Sequence, residues 1–78
     1  DANIFEGDIL IIDRSIKASD KSIIIAAVNG EFTVKRIKID KTGISLLAEN
    51  KNFSPIKITP ETDFEIWGVV TYIIHKAM

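Results

Sequence analysis

"SIIIAAVNGEFTVKRIKID", residues 22–40, decides how this chain folds. Two runs rich in branched and aromatic side chains, 22–28 and 31–40, flank Asn29-Gly30. An Asn-Gly pair between such runs predicts a two-residue hairpin, because a type I′ turn needs positive φ at both central positions. Once a turn sets the register, side chains of the second strand alternate between faces. Phe32, Val34, Arg36 and Lys38 fall on one side, and Thr33, Lys35, Ile37 and Ile39 on the other. The first run is too apolar to alternate, which predicts a strand covered on both faces. If the face carrying Ile37 and Ile39 is buried, the ammonium group of Lys35 goes in with them.

The pattern outside the hairpin is also β. "ILIID" (9–13) is a short apolar run, and Lys41-Thr42-Gly43 marks a turn ahead of a strand "ISLLAE" at 44–49. "NKNFSP" (50–55) reads as a loop, and Pro55 and Pro60 bracket a short edge strand, "IKIT". The longest pattern is "FEIWGVVTYIIHK" at 64–76, with Gly68 inside it. A glycine there predicts a bulge or a bend where a long strand changes neighbours. "RSIKASDK" (14–21) has no sustained period near 3.6 and reads as loop or a single turn. Six short strands with closely spaced turns predict an all-β fold, a small and strongly curved sheet or partial barrel.

The length of 78 residues suits one domain over 1–78. A chain of this size buries only about 60 % of its unfolded surface. With no cysteine there is no disulfide to help, so dimerisation is the expected further source of stability. Hydrophobic residues make up 46 %, which places the chain among folded globular proteins. Ten basic against eleven acidic residues leave a net charge of −1 and no bulk attraction to nucleic acid. "KRIKIDK" (35–41) does not change this, because alternation splits its cations between faces and Glu31 and Asp40 dilute them. It reads as a solvated face, and no direct sequence-specific nucleic-acid binding is expected. No apolar run approaches the ~18 residues of a membrane span. "DANIFEGD" lacks the features of a signal peptide, so a cytoplasmic protein is expected. Asp1 is not a start methionine, which fits a processed product or a piece of a longer chain.

Lys35 has two readings. A strand lysine is ordinarily solvated, or lays its stem along apolar surface with its head in water. Alternatively it is a general base, which requires a neutral amine. Moving its pKa from about 10.4 to near 7 takes a penalty of ~4–5 kcal/mol on the charged form, of the kind that apolar burial supplies. A Ser-Lys pair is a known variant of the triad logic. Five serines are available: Ser15, Ser19 and Ser22 in the polar connection, Ser45 opening a strand, and Ser54 before Pro55. All sit where hydroxyls serve turns and caps, and no G-x-S-x-G elbow is present. His75 is the lone histidine, with no His or Cys cluster to build a metal site on, and its place near the end of the last strand suits a structural or exposed residue. The carboxylates show no spacing that isolates an acid-base pair. No phosphate-cradling glycine run exists, and no cofactor is expected.

"EGDILIID", "IIIAAVNGEFTVKRI", "FSPI" and "FEIWGVV" occur in the order and at the spacing found in the self-cleaving proteins of the bacterial DNA-damage response. The chain resembles this LexA/UmuD family over essentially its whole length, and "AAVNGEFTVKR" and "HKAM" look closest to the UmuD branch. The resemblance implies a mostly-β peptidase domain with a Ser-Lys dyad, in which the lysine of "TVKR", here Lys35, is the base. It also implies that the serine lies in a Ser-Met pair immediately upstream of the stretch matching "DANIFEGD". That place falls just before Asp1, so the nucleophile and the cleavage-site arm are expected to lie outside this chain, which by itself should be inactive. The family further implies cleavage stimulated by RecA filaments, a homodimeric product, and partnership with a UmuC-type DNA polymerase in error-prone lesion bypass. Long apolar strands such as 64–74 are expected to supply the dimer's pairing edge. Two alternatives stand beside this: the C-terminal half of a LexA-type repressor, and a small β binding module without peptidase ancestry.

Overall fold

The computed structural model describes residues 6–48 and 54–77. Six strands form one antiparallel sheet: β1 (Ile9–Asp13), β2 (Ile23–Val28), β3 (Glu31–Asp40), β4 (Gly43–Leu47), β5 (Ile56–Ile58) and β6 (Phe64–Ile74). Their spatial order is β1-β6-β2-β3-β4-β5, and no described residue is helical. The all-β expectation therefore holds. The end of the expected strand 44–49 and most of the loop 50–55 lie outside the described residues.

The hairpin forms as the sequence requires. Asn29 and Gly30 take φ of 50° and 86°, and the register runs from Val28↔Glu31 to Ile23↔Arg36. One face of the sheet carries the core: Ile24, Ala26, Ile37, Leu46 and Val69 are buried, with Val28, Ile44, Ile58, Phe64, Ile66 and Ala18 packed against them. Ile24 and Leu46 are buried completely on this face, the concave one, by the twisted sheet together with Ala18 of the 14–22 connection. β2 is fully buried on that face at Ile24 and Ala26 and half-buried on the other at Ile23, Ile25 and Ala27, so the expected cover on both faces is complete on one only. Beyond Arg36, β3 outruns β2, and the connecting loop supplies the missing bonds. Lys21 N–H donates to Ile37 O, Ile37 N–H to Ser22 O, and Ile39 N–H to the Asp20 carboxylate.

β6 changes neighbours midway. Residues 64–69 pair with β2 and residues 69–74 with β1. The register slips beside Trp67 and again at Thr71, so the strand is bulged twice. β1 pairs with residues 69–74 and β2 with residues 64–69, so beyond Val69 one side of β6 carries no paired strand among the described residues, and the edge expected there for dimer pairing is open. The outermost strands of the sheet are β1 and β5. On the convex face, Arg14 lies 4.3 Å over the Trp67 ring and its Nε donates to Trp67 O, while Phe32 meets Trp67 edge-on at 6.3 Å.

Gly68 is required by packing. A Cβ there collides with Cγ2 of Ile12, a branched side chain with little freedom at χ1. Gly68→Ala should therefore cost about 1–3 kcal/mol in a urea titration. Two turns report on acid stability. The Asp40 carboxylate accepts from the hydroxyl and the N–H of Thr42, and Asp13 does the same with Ser15. These bonds hold both carboxyls below their ordinary 3.8. A lowered carboxyl stabilises the fold above its ordinary value and loses that effect as pH falls through the depressed one. Stability should thus decline below pH 3.8, and Asp40→Asn should flatten the decline in acid-unfolding curves.

Candidate active site around Lys35

Lys35 stands in the middle of β3, a central strand that pairs with β2 over residues 31–36 and with β4 over residues 36–40. Its register partner on β2 is Ile24, which is fully buried, and its next neighbour on the same face is Ile37, 1 % exposed. The residue is half-buried on the concave face. Strand alternation thus carries the amine where the sequence pattern placed it.

The ammonium group does not sit there alone. Nζ donates to Oγ1 of Thr33 at 2.7 Å. The two residues are i and i+2 on one strand, about 6.6 Å apart along the backbone, so they share a face without help from any other element. The lysine stem bends back along β3 to reach the hydroxyl. Thr33 pairs with Ala26, whose small side chain leaves room over this part of β2. Sequence reading missed Thr33 as a functional residue, because threonine in a strand looks like an ordinary β former. The signal was its position, two residues before the lysine on the same face.

Thr33 and Lys35 line an open cleft of about 430 Å³, with Val28, Asn29, Glu31 and Ile56. Two devices hold its walls. Asn29 N–H donates to Asp63 O, and Asp63 N–H donates to the Asn29 side-chain oxygen, so the hairpin tip is pinned to the start of β6. On the opposite side, edge strand β5 is held by pairing with β4 and by Lys57, whose Nζ donates to Thr42 O. The cleft therefore offers one amine, one hydroxyl and one carboxylate, all three on β3. No three His, Asp or Glu side chains converge anywhere among the described residues to hold a metal ion.

The other candidates lie elsewhere. Ser15 closes a turn onto Asp13, and Ser19 and Ser22 bond to each other. Ser45 pairs with Lys38, on the face away from Lys35, and Ser54 is exposed beside Pro55. None lines the cleft. His75 meets Asp8 at the far end of β6. Arg36 donates to Lys21 O and Lys38 pairs with Asp40, so these two cations of "KRIKIDK" are engaged locally.

A family model described as Peptidase S24-like matches residues 1–71. The chain belongs to the Peptidase S24-like family. This is a family of self-cleaving serine peptidases, so the resemblance drawn from the sequence holds at that level. Among its relatives, Protein MucA of Salmonella typhimurium is 44 % identical over 73 residues, covering 92 % of this chain and 49 % of that protein. The LexA repressor of Oleidesulfovibrio alaskensis is 44 % identical over 70 residues, covering 90 % and 34 %. That of Bordetella avium is 40 % identical over 75 residues, covering 96 % and 35 %. The chain spans half or less of the length of these S24 relatives.

Thr33→Val keeps the shape and removes the acceptor for Nζ. It should leave the fold intact, at a cost of about 1 kcal/mol or less in thermal unfolding, and release the lysine head. Faster exchange of the Lys35 ammonium protons by NMR would report that release; unchanged exchange would show the bond to be unimportant in solution.

Proposed function

We propose that residues 1–78 form the part of a single Ser-Lys peptidase domain that carries the general base, and that Lys35 is that base. The observation that carries this reading is the half-buried Lys35 amine on the concave face of β3, held by Thr33 in an open cleft. Membership of a serine peptidase family supplies the reaction class. The nucleophile is a serine on the segment preceding Asp1 in the full-length protein. Its Oγ attacks the scissile carbonyl carbon while the neutral Lys35 amine takes the hydroxyl proton. The tetrahedral intermediate collapses with cleavage of the C–N bond, and Lys35 returns the proton to the departing amine. Water then hydrolyses the acyl-enzyme by the same base.

The substrate in this reading is the protein's own upstream arm, cut under the influence of a RecA-DNA filament. The shortened product is a homodimer that serves a UmuC-type polymerase in lesion bypass, in the cytoplasm. Similarity to MucA supports this mutagenesis role. Equal identity to a LexA repressor supports a second reading, in which the same domain cleaves and dimerises below a DNA-binding module. The residues encoded before Asp1 separate the two: a helix-turn-helix marks the repressor and a short arm the mutagenesis protein.

The dimer has a candidate surface. Ile9 and Ile11 of β1 pair with Ile74 and Tyr72 of β6 on one face, and all four are exposed, Tyr72 by 69 %. Apolar side chains grouped in this way suit a second copy of the chain. Tyr72→Arg should raise the dimer dissociation constant at least tenfold in sedimentation equilibrium while leaving the fold unchanged.

In the full-length protein, Lys35→Ala should abolish self-cleavage, and the wild-type rate should climb as alkaline pH neutralises the amine. Retained cleavage in Lys35→Ala removes the residue from the role. The 78-residue chain alone should not react with a fluorophosphonate probe; labelling would place a nucleophilic serine within it.

A further inference from the structure

Of the four asparagines, Asn3, Asn29, Asn50 and Asn52, only Asn29 is followed by glycine. That order bears on the side chain as well as on the turn. The backbone nitrogen after an asparagine can attack the carboxamide carbon, and a glycine has no side chain to screen the approach. Asn29 and Gly30 are exposed at the hairpin tip, and a Cβ on Gly30 would meet no described atom within 4 Å. Solvent therefore surrounds the pair.

The fold withholds the geometry that the attack needs. Ring closure requires Cβ of Asn29 and the nitrogen of Gly30 on the same side of the Cα–C bond. Asn29 has φ of 50°, in the left-handed region, where ψ is about +30 to +60°. At such ψ the two atoms point to nearly opposite sides of that bond. A latch from the start of β6 keeps them there. Asn29 N–H donates to Asp63 O at 2.7 Å, and Asp63 N–H donates to the Asn29 side-chain oxygen at 3.2 Å. The first bond fixes the backbone of the turn, and the second holds the carboxamide itself. Asp63 is seated in turn by Thr59 and Thr62: Thr62 N–H donates to Thr59 O, and Thr59 N–H to Thr62 Oγ1.

We propose that Asn29 is a self-modification site, an asparagine that deamidates through a cyclic imide whenever the hairpin tip unlatches from Asp63. In the open tip the Gly30 nitrogen bonds to Cγ of Asn29. The C–N bond of the carboxamide breaks, and ammonia leaves with the proton that the Gly30 nitrogen gives up. Water then opens the imide at either carbonyl, leaving aspartate or isoaspartate at position 29. No oxidant or reductant takes part. Isoaspartate adds a carbon to the backbone, which a two-residue turn cannot absorb without shifting its register. Either product also places a new carboxylate beside Glu31 on the wall of the Lys35 cleft. Conversion should therefore weaken self-cleavage. This last consequence rests on the peptidase reading above, whereas the modification does not.

Mass spectrometry of the tryptic peptide 22–35 tests the site. The full-length protein is held at mildly alkaline pH in native buffer and in concentrated urea, and the mass gain of deamidation is followed in that peptide. Conversion should be at least about tenfold faster in urea than in native buffer. In urea it should also outpace conversion at Asn3, Asn50 and Asn52. Equal rates in the two conditions overturn the proposal, and so does an unconverted peptide in urea. Thr62→Ala loosens the seat of Asp63 without touching Asn29. It should raise the native rate about threefold and leave the urea rate unchanged. Asp63→Pro, which deletes the donor to the carboxamide, should do likewise; should it fail to fold, Thr62→Ala decides alone. An unchanged native rate in Thr62→Ala overturns the latch. A matching rise in Gly68→Ala, which destabilises the sheet away from the tip, would assign conversion to global unfolding and overturn it too. Protein converted in urea, separated by ion exchange and refolded, is then assayed for self-cleavage. Cleavage equal to that of unconverted protein keeps the modification and removes its link to Lys35.

Discussion

The antiparallel register of the β2–β3 hairpin, with Ile24 opposite Lys35, is the constraint on which the rest of the structure depends. A strand has two faces, and a slip of one residue exchanges them. In a slipped hairpin Phe32 and Val34 face the core and Lys35 faces water. Three things prevent that. The Asn29-Gly30 turn takes left-handed conformations at both central positions. Asn29 and Asp63 exchange hydrogen bonds that tie the turn to β6. At the other end, the 19–22 loop bonds to Ile37 and Ile39 and continues the pairing where β2 has ended. The hairpin is fastened at both ends, and the position of the amine follows.

The same register explains why an amine on the concave face is tolerated. Burying a cation among apolar side chains is unfavourable, and the cost falls with each polar contact the head retains. Thr33 offers one such contact from within the strand, and the open cleft leaves the head access to water. Along β3 itself the first core residue is Ile37, two positions beyond Lys35 and paired with fully buried Leu46. β3 therefore runs from a polar cleft at its start into a dry core near its middle. Lys35 stands at the boundary.

Much of this was legible in the residues, and the physical reasons are specific. Alternation and turn chemistry are local, so the bounds of β1 and β3 and the edge character of β5 could be read directly. Gly68 marked the region where β6 bends from one neighbour to the other, because few other events put a glycine inside a long apolar strand. Strand order was not legible. Nothing in "ILIID" says that it lies beside the second half of β6, since apolar strands carry no address for their partners. The Thr33 contact was hidden for another reason: it depends on the lysine stem folding back along its own strand, which a list of facing residues does not reveal.

The location of β1 has a kinetic side. Hairpins β2–β3 and β3–β4 join neighbours in sequence and can close in microseconds. The bond from Thr71 to Ile11 O spans sixty residues, so the β1–β6 ladder demands closure of a long loop before it returns any contact energy. On a ribosome adding about 5–20 residues per second, an emerged β1 waits roughly 3–12 seconds for its partner. For that interval Ile9, Leu10, Ile11 and Ile12 form an unpaired apolar strand. β1, one of the two outermost strands of the finished sheet, is thus made first and secured late, and stays exposed to association with other chains while synthesis continues.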